Sequence, residues 1–473
     1  MKEMTLYEKV ANDMSHLIDS GTFSPGDRIP SVRSLNRQMQ VSVATVMEAY
    51  RLLEDKGLIE CRPQSGYYVL SATPRKGAEI ELSNPSSRPS TVSVSDLVMM
   101  ILKDSGNPKL VQLGAAVPNP ELLPVDRINR AMAAVTRQYR VKNISYEFAA
   151  GYEGLRTQIA RRALTAGYTI TPDDVIITSG CQEAIILALR VICKPGDTVA
   201  VESPTYYNFL QAIEMMGLKA LEIPTHPRDG ISVDTLRYAI EQNRISACLC
   251  ITSFNNPLGS CMPDVKKKEL VELLASYNIP LIEDDIYGDI SFSGQRPKAA
   301  KAFDKKDSVI LCSSFSKTIA PGYRIGWTVA GRFMRDIERM KSITNMATAT
   351  APQLAIAEFL ANGGYDHHLR KIRRIYARHV HLMSEAVIRH FPEGTKVSRP
   401  SGGYVLWVEL PRGIDCLEMY ERAVKKGISF APGPIFSPRQ KYRHFLRLNA
   451  ATWTDEVQAA IKTLGSLAGR KGR

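Results

Sequence analysis

The stretch "SSFSKTIAPGYRIGW" sets Lys317 in a serine-flanked turn, with Ser314 and Ser316 before it and Arg324 seven positions after it. A lysine is a useful nucleophile only as the neutral amine, which burial or cationic neighbours favour. Hydroxyls beside an arginine fork make a site for a dianion. "LIEDDIYGDI" ends an apolar run with Asp284 and places Tyr287 three residues on. An aspartate there would keep a ring nitrogen protonated, because an opposite charge favours the ionised form. "ITSFNNPLGS" holds Asn256 before Pro257 as a rigid amide at a strand end, the edge of an α/β sheet that ligands favour. "VIITSGCQEAII" reads as strand, glycine turn and helix start, whose free N–H groups suit a phosphate. "ESPTYYNF" offers Tyr206 as a flat surface for a ring. Singly, each has an ordinary structural reading: a surface lysine, a strand-end cap, a plain βα turn. Together they answer one ligand, with a basic ring nitrogen, a phosphate and an aldehyde that condenses with lysine. That ligand is pyridoxal 5′-phosphate (PLP).

Elements that must position these residues are legible around them. The runs "DVIIT", "DTVAVE", "KALEIP", "ACLCIT", "IPLIED", "SVILCSS" and "GWTVA" are β-rich, and each neighbours an amphipathic stretch of helix length. Such alternation predicts an α/β fold with a mostly parallel sheet covered by helices. "GGYVLWVEL" through "YRHFLRLNA" predicts a smaller C-terminal subdomain over about 350–473, within a large domain of 94–473. No repeat period is visible. Residues 71–93, rich in Ser, Pro and charge, read as a flexible linker.

Residues 1–70 form a separate module. Apolar positions 6, 10, 14, 17 and 18 have helical spacing. Ser31 is placed to cap a short helix "VRSLNRQM", and Ser42 a third whose buried face is Val46, Ala49, Tyr50 and Leu53. "LIECRPQSGYYVL" then reads as a hairpin. Three helices and a hairpin fit a winged helix-turn-helix, whose third helix enters the DNA major groove; on periodicity alone a small helical adaptor with the same packing stays open beside it.

Composition bounds the rest. Hydrophobic content of 44% and charged content of 23% are ordinary for a globular protein. No apolar run reaches a membrane span and the N-terminus lacks a signal-peptide core, so the expected address is cytoplasmic, with no membrane partner. The eight cysteines show no metal or redox spacing and read as reduced, with Cys248 and Cys250 facing one side of a strand. The pair His367-His368 reads as a solvated surface pair, and no metal site is expected. The net charge of +13 lies outside the N-terminal module: residues 1–70 hold eight Lys/Arg and nine Asp/Glu.

Two resemblances sharpen these readings. "SGTFSPGDRIPSVRSL", "VSVATVMEAYRLLEDKGLI" and "PQSGYYV" resemble the GntR-type winged helix. That implies DNA contacts by Arg33, Ser42 and Thr45, with Gln64, Ser65 and Gly66 at the wing tip. Val43 and Met47 stand where GntR-type domains often carry arginine, so guanine readout by arginine is not expected there. Residues from about 110 to 465 resemble the fold-type I PLP-dependent aminotransferases. The resemblance implies that Lys317 carries the cofactor covalently and Asp284 pairs with its ring nitrogen. It further implies Asn256 and Tyr287 on the ring hydroxyl and Tyr206 against the ring. Cys181 (through its backbone), Gln182, Ser314, Ser316 and Arg324 would hold the phosphate. Tyr146 would reach the phosphate of a neighbouring subunit. Arg447, with Asn256 and Gly114 nearby, would grip the α-carboxylate of an amino acid. A GntR-type winged helix joined to such a domain is the layout of the MocR family of bacterial transcription regulators. It implies a homodimer that binds a double-stranded DNA operator and senses an amino acid or amine effector. A working aminotransferase with a secondary DNA-binding module stays open beside that reading, as does a PLP-dependent lyase or racemase.

Overall fold

Helical spacing in the first stretch becomes α1 (Leu6–Asp19), which buries Val10, Met14 and Ile18 and leaves Leu6 and Leu17 exposed. The computed structural model describes residues 5–19, 22–23, 26–55, 58–62, 65–69, 80 and 82–469. It divides into two units, Met1–Gly77 and Ala78–Arg473. In the first unit α2 (Val32–Met39) is capped by Ser31, whose Oγ accepts from the Ser34 N–H, and it is closed by Gln40 in the left-handed region. Ser42 Oγ accepts from the Thr45 N–H at 3.0 Å and starts α3 (Val43–Asp55). Val46, Ala49, Tyr50 and Leu53 are all fully buried, as their spacing predicts. Tyr50 donates its hydroxyl to the Pro30 carbonyl at 2.6 Å, tying α3 to the turn before α2. β1 (Ile59–Arg62) and β2 (Gly66–Val69) pair antiparallel as the wing. The expected wing residue Gln64 and the first part of the expected linker, 71–79, lie outside the described residues.

The second unit begins its strands with β3 (Val111–Gln112). Then follow β4 (Ile176–Thr178), β5 (Thr198–Ser203), β6 (Lys219–His226), β7 (Gly230–Ile231), β8 (Ala247–Cys250), β9 (Leu281–Asp284), β10 (Val309–Ser314) and β11 (Gly326–Val329). β4 to β11 form one sheet in the order β4-β11-β10-β9-β8-β5-β6-β7. Neighbours from β10 across to β6 run parallel; β11 is antiparallel to both β10 and β4, and β7 hairpins back on β6. All seven expected strands form. β7 is an addition, too short at two residues for its pattern to show. Strand faces alternate between two cores: Cys248 and Cys250 pack with Leu221 and Leu281 on one side, Leu249, Ile282 and Cys312 on the other. The eight cysteines are free thiols.

A four-stranded antiparallel sheet builds the C-terminal subdomain from β12 (Lys396–Val397), β13 (Val405–Glu409), β15 (Ala431–Pro432) and β16 (Phe445–Asn449). β14 (Ile428–Ser429) pairs in parallel with β3, so this end of the molecule also draws on residues far from its expected start.

Two expectations are corrected. Residues 82–93 are not a free tether. Ser90 exchanges both backbone hydrogen bonds with Ala220 at 2.9 Å, Ser83 donates to the Ser203 carbonyl at 2.6 Å, and Val92 is buried. A polar composition does not reveal such backbone pairing. His367 and His368 are not a surface pair either. Successive helical residues point about 100° apart, so His367 is exposed while His368 is buried with Nε2 2.7 Å from the Thr318 carbonyl. Burial holds the His368 imidazole down, at about 4, and therefore neutral. Among the described residues no helix is long and apolar enough to cross a membrane.

Candidate functional site

Because β5, β8, β9 and β10 are parallel, their C-terminal ends share one edge. Asp284 ends β9, Ser314 ends β10, and the loops after β5 and β8 deliver Tyr206 and Asn256. A cavity of about 210 Å³ at this edge is lined by Cys181, Gln182, Tyr206, Asn256, Asp284, Tyr287, Ser314, Ser316, Lys317 and Arg324, among others. Ten residues expected from the sequence thus meet in one place.

Lys317 closes a 3₁₀ turn, Phe315–Lys317, that Ser314 caps by accepting from the Ser316 N–H. Its Nζ donates to the Ala116 carbonyl at 2.6 Å. Burial, then the Arg447 charge, lowers the Lys317 ammonium to about 8, with Asp284 opposing the shift. A lysine so placed is partly the neutral, nucleophilic amine near neutral pH.

Asp284 is buried, and burial pushes its carboxyl up to about 7 against the hydrogen bonds it accepts. Oδ1 takes both, from the Ile286 N–H at 3.1 Å and from Cys181 Sγ at 3.4 Å. Burial and the nearby Asp284 charge push the Cys181 thiol well up, so it stays neutral and donates. The side chain of Cys181 therefore serves the carboxylate, a contact that its expected backbone role left unseen.

Gly180 precedes the helix Cys181–Ile192 with φ +83°, and a Cβ there would collide with the Arg324 guanidinium. Only glycine fits this left-handed, crowded turn. Arg324 spans the turn, Nη1 donating to Ser316 Oγ at 3.4 Å and Nη2 to the Ser179 carbonyl at 3.3 Å. Gln182 accepts from Asn208 at 3.4 Å beside them. Helix N–H groups, two serines and a guanidinium together form an anion cradle.

Arg447, on β16, is fully buried. Nη1 donates to Asn256 Oδ1 at 3.0 Å, Nη2 donates to the Gly114 carbonyl, and among the described residues Nε has no hydrogen-bond partner. A Cβ on Gly114 would press on the Phe430 carbonyl group at 3.1 Å. The guanidinium lies 5.3 Å from the Phe436 ring centre and 5.9 Å from that of Tyr207. Among the described residues no carboxylate pairs with it. A buried charge left this way is costly unless an anion arrives to meet it. Tyr207, Phe436 and the Ala116 carbonyl are the site groups that sequence reading missed. Tyr207 sits in the quoted "PTYYNF", but nothing local marks the others.

Tyr146 does not reach this cavity. It is 70% exposed beside Phe148, at a ring distance of 5.8 Å, with exposed Val141 and Ile144 close in sequence. In the winged helix Arg33 and Ser42 are exposed, and Thr45 is half-buried with its hydroxyl 2.8 Å from that of Ser42. Ser65 bonds to the Tyr68 hydroxyl at 2.6 Å, and Gly66 opens β2 with φ +108°.

Residues 119–464 match the family aminotransferase class I and II, and residues 6–69 match the bacterial regulatory proteins of the gntR family. The chain is 38% identical over 465 residues to the uncharacterized HTH-type transcriptional regulator YdcR of Escherichia coli (strain K12), covering 98% of this chain and 99% of that one. Among solved structures it resembles the kynurenine aminotransferase of Pyrococcus horikoshii, in complex with PMP, at TM-score 0.74 and 33% identity, covering 79% of this chain and 94% of that one. It also resembles the α-aminoadipate aminotransferase LysN of Thermus thermophilus, complexed with N-(5′-phosphopyridoxyl)-L-leucine. There the TM-score is 0.73 at 27% identity, with 78% of this chain and 94% of that one covered.

Proposed function

Because this chain belongs to the class I and II aminotransferases and carries a gntR-family region at its N-terminus, we propose that it is a DNA-binding transcription regulator whose PLP site senses an amino acid or amine. Similarity to an HTH-type regulator along 98% of the chain supports the regulator reading. The observation that carries the sensing reading is Arg447: a buried, carboxylate-free guanidinium in contact with Asn256, with a partly neutral lysine in the adjoining cavity.

The residues present fit PLP. The anion cradle of Ser314, Ser316, Arg324 and the N–H groups at Cys181 and Gln182 would hold its phosphate. Asp284 would hold the ring nitrogen, Asn256 and Tyr287 the ring hydroxyl, and Tyr206 one ring face. When bound, the group supplies an aldehyde that links reversibly to an amine and a ring that draws electrons from it. Lys317 supplies the amine from the protein side, and Arg447 with Asn256 orients an incoming carboxylate beside it. Tyr206 and Tyr287 wall the site with aromatic surface, and Tyr404 backs Tyr287 edge-on at 5.6 Å.

A route out of the site is built into the segment after β5. The loop from Ser203 carries Tyr206, which starts the helix Tyr207–Met215. Ser203 accepts from Ser83, and Glu214 near the helix end accepts from the N–H groups of Val94 and Ser95 and from the Ser95 hydroxyl. The chain that leads back toward the winged helix is thus pinned at two points to the element that faces the ligand. Effector exchange that shifts Tyr206 would be passed to residues 83–95, provided the ligand favours one arrangement over another. Glu214→Ala is expected to blunt the effect of an amino acid on DNA affinity while sparing cofactor binding; an intact response would remove this route.

Further parts of the reading concern assembly and DNA. The exposed apolar group Val141, Ile144, Tyr146 and Phe148 suits a homodimer face, from which Tyr146 would reach the partner's phosphate cradle. The protein acts in the cytoplasm. Arg33 and the hydroxyls of Ser42 and Thr45 would position the recognition helix on phosphates, with Gln64, Ser65 and Gly66 at the wing. Binding of the DNA upstream of the protein's own gene tests the regulator reading directly. Arg33→Ala should weaken it alike for all sequences, and absence of binding by the wild type would sink the reading. A second reading, transamination, is favoured by the intact set of Lys317, Asp284 and Arg447. Stoichiometric release of an oxo acid from an added amino acid would support it.

A further inference from the structure

We propose that the recognition helix reads the methyl groups of thymine through Val43 and Met47, so that the operator carries thymines where the first turns of α3 face the major groove. The inference rests on the regulator reading and concerns which base pairs that regulator selects.

Val43 is 45% exposed and Met47 42% exposed, although both are apolar. They are four residues apart and so lie on one face of α3, one turn above the other. That face is not the core stripe, which is made by Val46, Ala49, Tyr50 and Leu53, all fully buried. Scattered exposed apolar residues are ordinary. Here two of them, with exposed Ala44 between, occupy the start of the helix whose N-terminal residues contact base edges in this type of domain.

The polar groups near that face do not provide a base-reading fork. Residues 43–47 include no arginine, lysine, asparagine or glutamine, the side chains that pair bidentately with guanine or adenine. The Thr45 hydroxyl is already bonded to Ser42. The first cation on the helix, Arg51, lies two turns in and pairs with Glu48 at 3.3 Å. In the major groove the one apolar feature that distinguishes a base is the thymine methyl, and apolar side chains are what recognise it. Arg33, exposed in the first turn of α2, and Ser42, exposed at the start of α3, would hold phosphates while these side chains meet the methyls. Duplex DNA is therefore the occupant this face fits.

The test uses the full chain and duplexes selected from a randomised pool. Each thymine of the selected sequence is replaced in turn by deoxyuridine, which keeps every hydrogen-bonding group and removes only the methyl. Affinity is expected to fall about three- to fivefold at each thymine that faces α3, the worth of one buried methyl-sized group. The penalty should disappear in Val43→Ala at one position and in Met47→Ala at another, while both variants bind the uracil duplex as the wild type does. Both side chains are exposed, so neither change threatens the fold. Equal affinity for thymine and uracil duplexes throughout overturns the proposal, as does a uracil penalty undiminished in both variants. Variants that change oligomeric state but leave the uracil penalty intact also overturn it, by assigning the face to protein contact. Failure to select any duplex defeats the regulator reading itself, a different outcome from selection without a methyl effect.

Discussion

Lys317→Ala is expected to abolish the visible absorbance band that PLP gives when held by a lysine, and to leave only weak, dialysable binding of the cofactor. Lys317 is the one amine among the residues lining the cavity, and its Nζ is held in place by the Ala116 carbonyl. The phosphate cradle and Asp284 remain in the variant, so some reversible affinity should survive while the covalent link does not. An unchanged band would show that another amine carries the group. The wild type adds a pH signature to the same measurement. Only the neutral amine attacks an aldehyde, and burial places the Lys317 midpoint at about 8 in place of the ordinary 10.5. The rate of cofactor capture should therefore rise with pH and level off above about 8. Below that it should fall by about tenfold per pH unit as the amine protonates. A rate still climbing at the ordinary lysine value would mean that the cavity does not depress the amine.

Arg447→Lys carries the second large effect, a loss on the order of a hundredfold or more in affinity for effectors that bear an α-carboxylate. Breaking a buried, hydrogen-bonded charge pair typically costs about 2–5 kcal/mol. Lysine keeps the positive charge but loses the planar fork that now spans Asn256 and the Gly114 carbonyl. The cofactor band should persist, because Arg447 is not part of the phosphate cradle. Response to simple amines, which have no carboxylate, should be largely spared. An equal loss for amines and amino acids would mean that Arg447 shapes the cavity but does not grip a carboxylate.

Much of this site was legible in the chain itself. Lys317, Asp284 and Asn256 each follow a short β-rich run, and a parallel sheet must bring the ends of such runs to one edge. Ser31, Ser42 and the apolar spacing of residues 46–53 likewise specify the winged helix locally. What stayed hidden depends on contacts remote in sequence or carried by backbone. Cys181 reaches Asp284 across 103 residues. Ala116 offers Lys317 only a carbonyl, which any residue has. Ser90 joins the sheet unit through main-chain bonds to Ala220, invisible behind its polar, proline-rich surroundings. His368 turned inward because the helix rotation, not the residue type, decides which of two adjacent histidines meets the core. β3 and β14, at two residues each, are too short for any period to mark.

The proposed sensing function requires that occupancy of the Lys317 site govern the grip of the winged helix on DNA. Its most direct test is the DNA affinity of the full chain measured without PLP, with PLP, and with PLP plus each of a panel of amino acids and amines. One class of amine-bearing ligand is expected to shift the affinity only when PLP is present and Lys317 intact. DNA affinity that is the same under all of these conditions would contradict it.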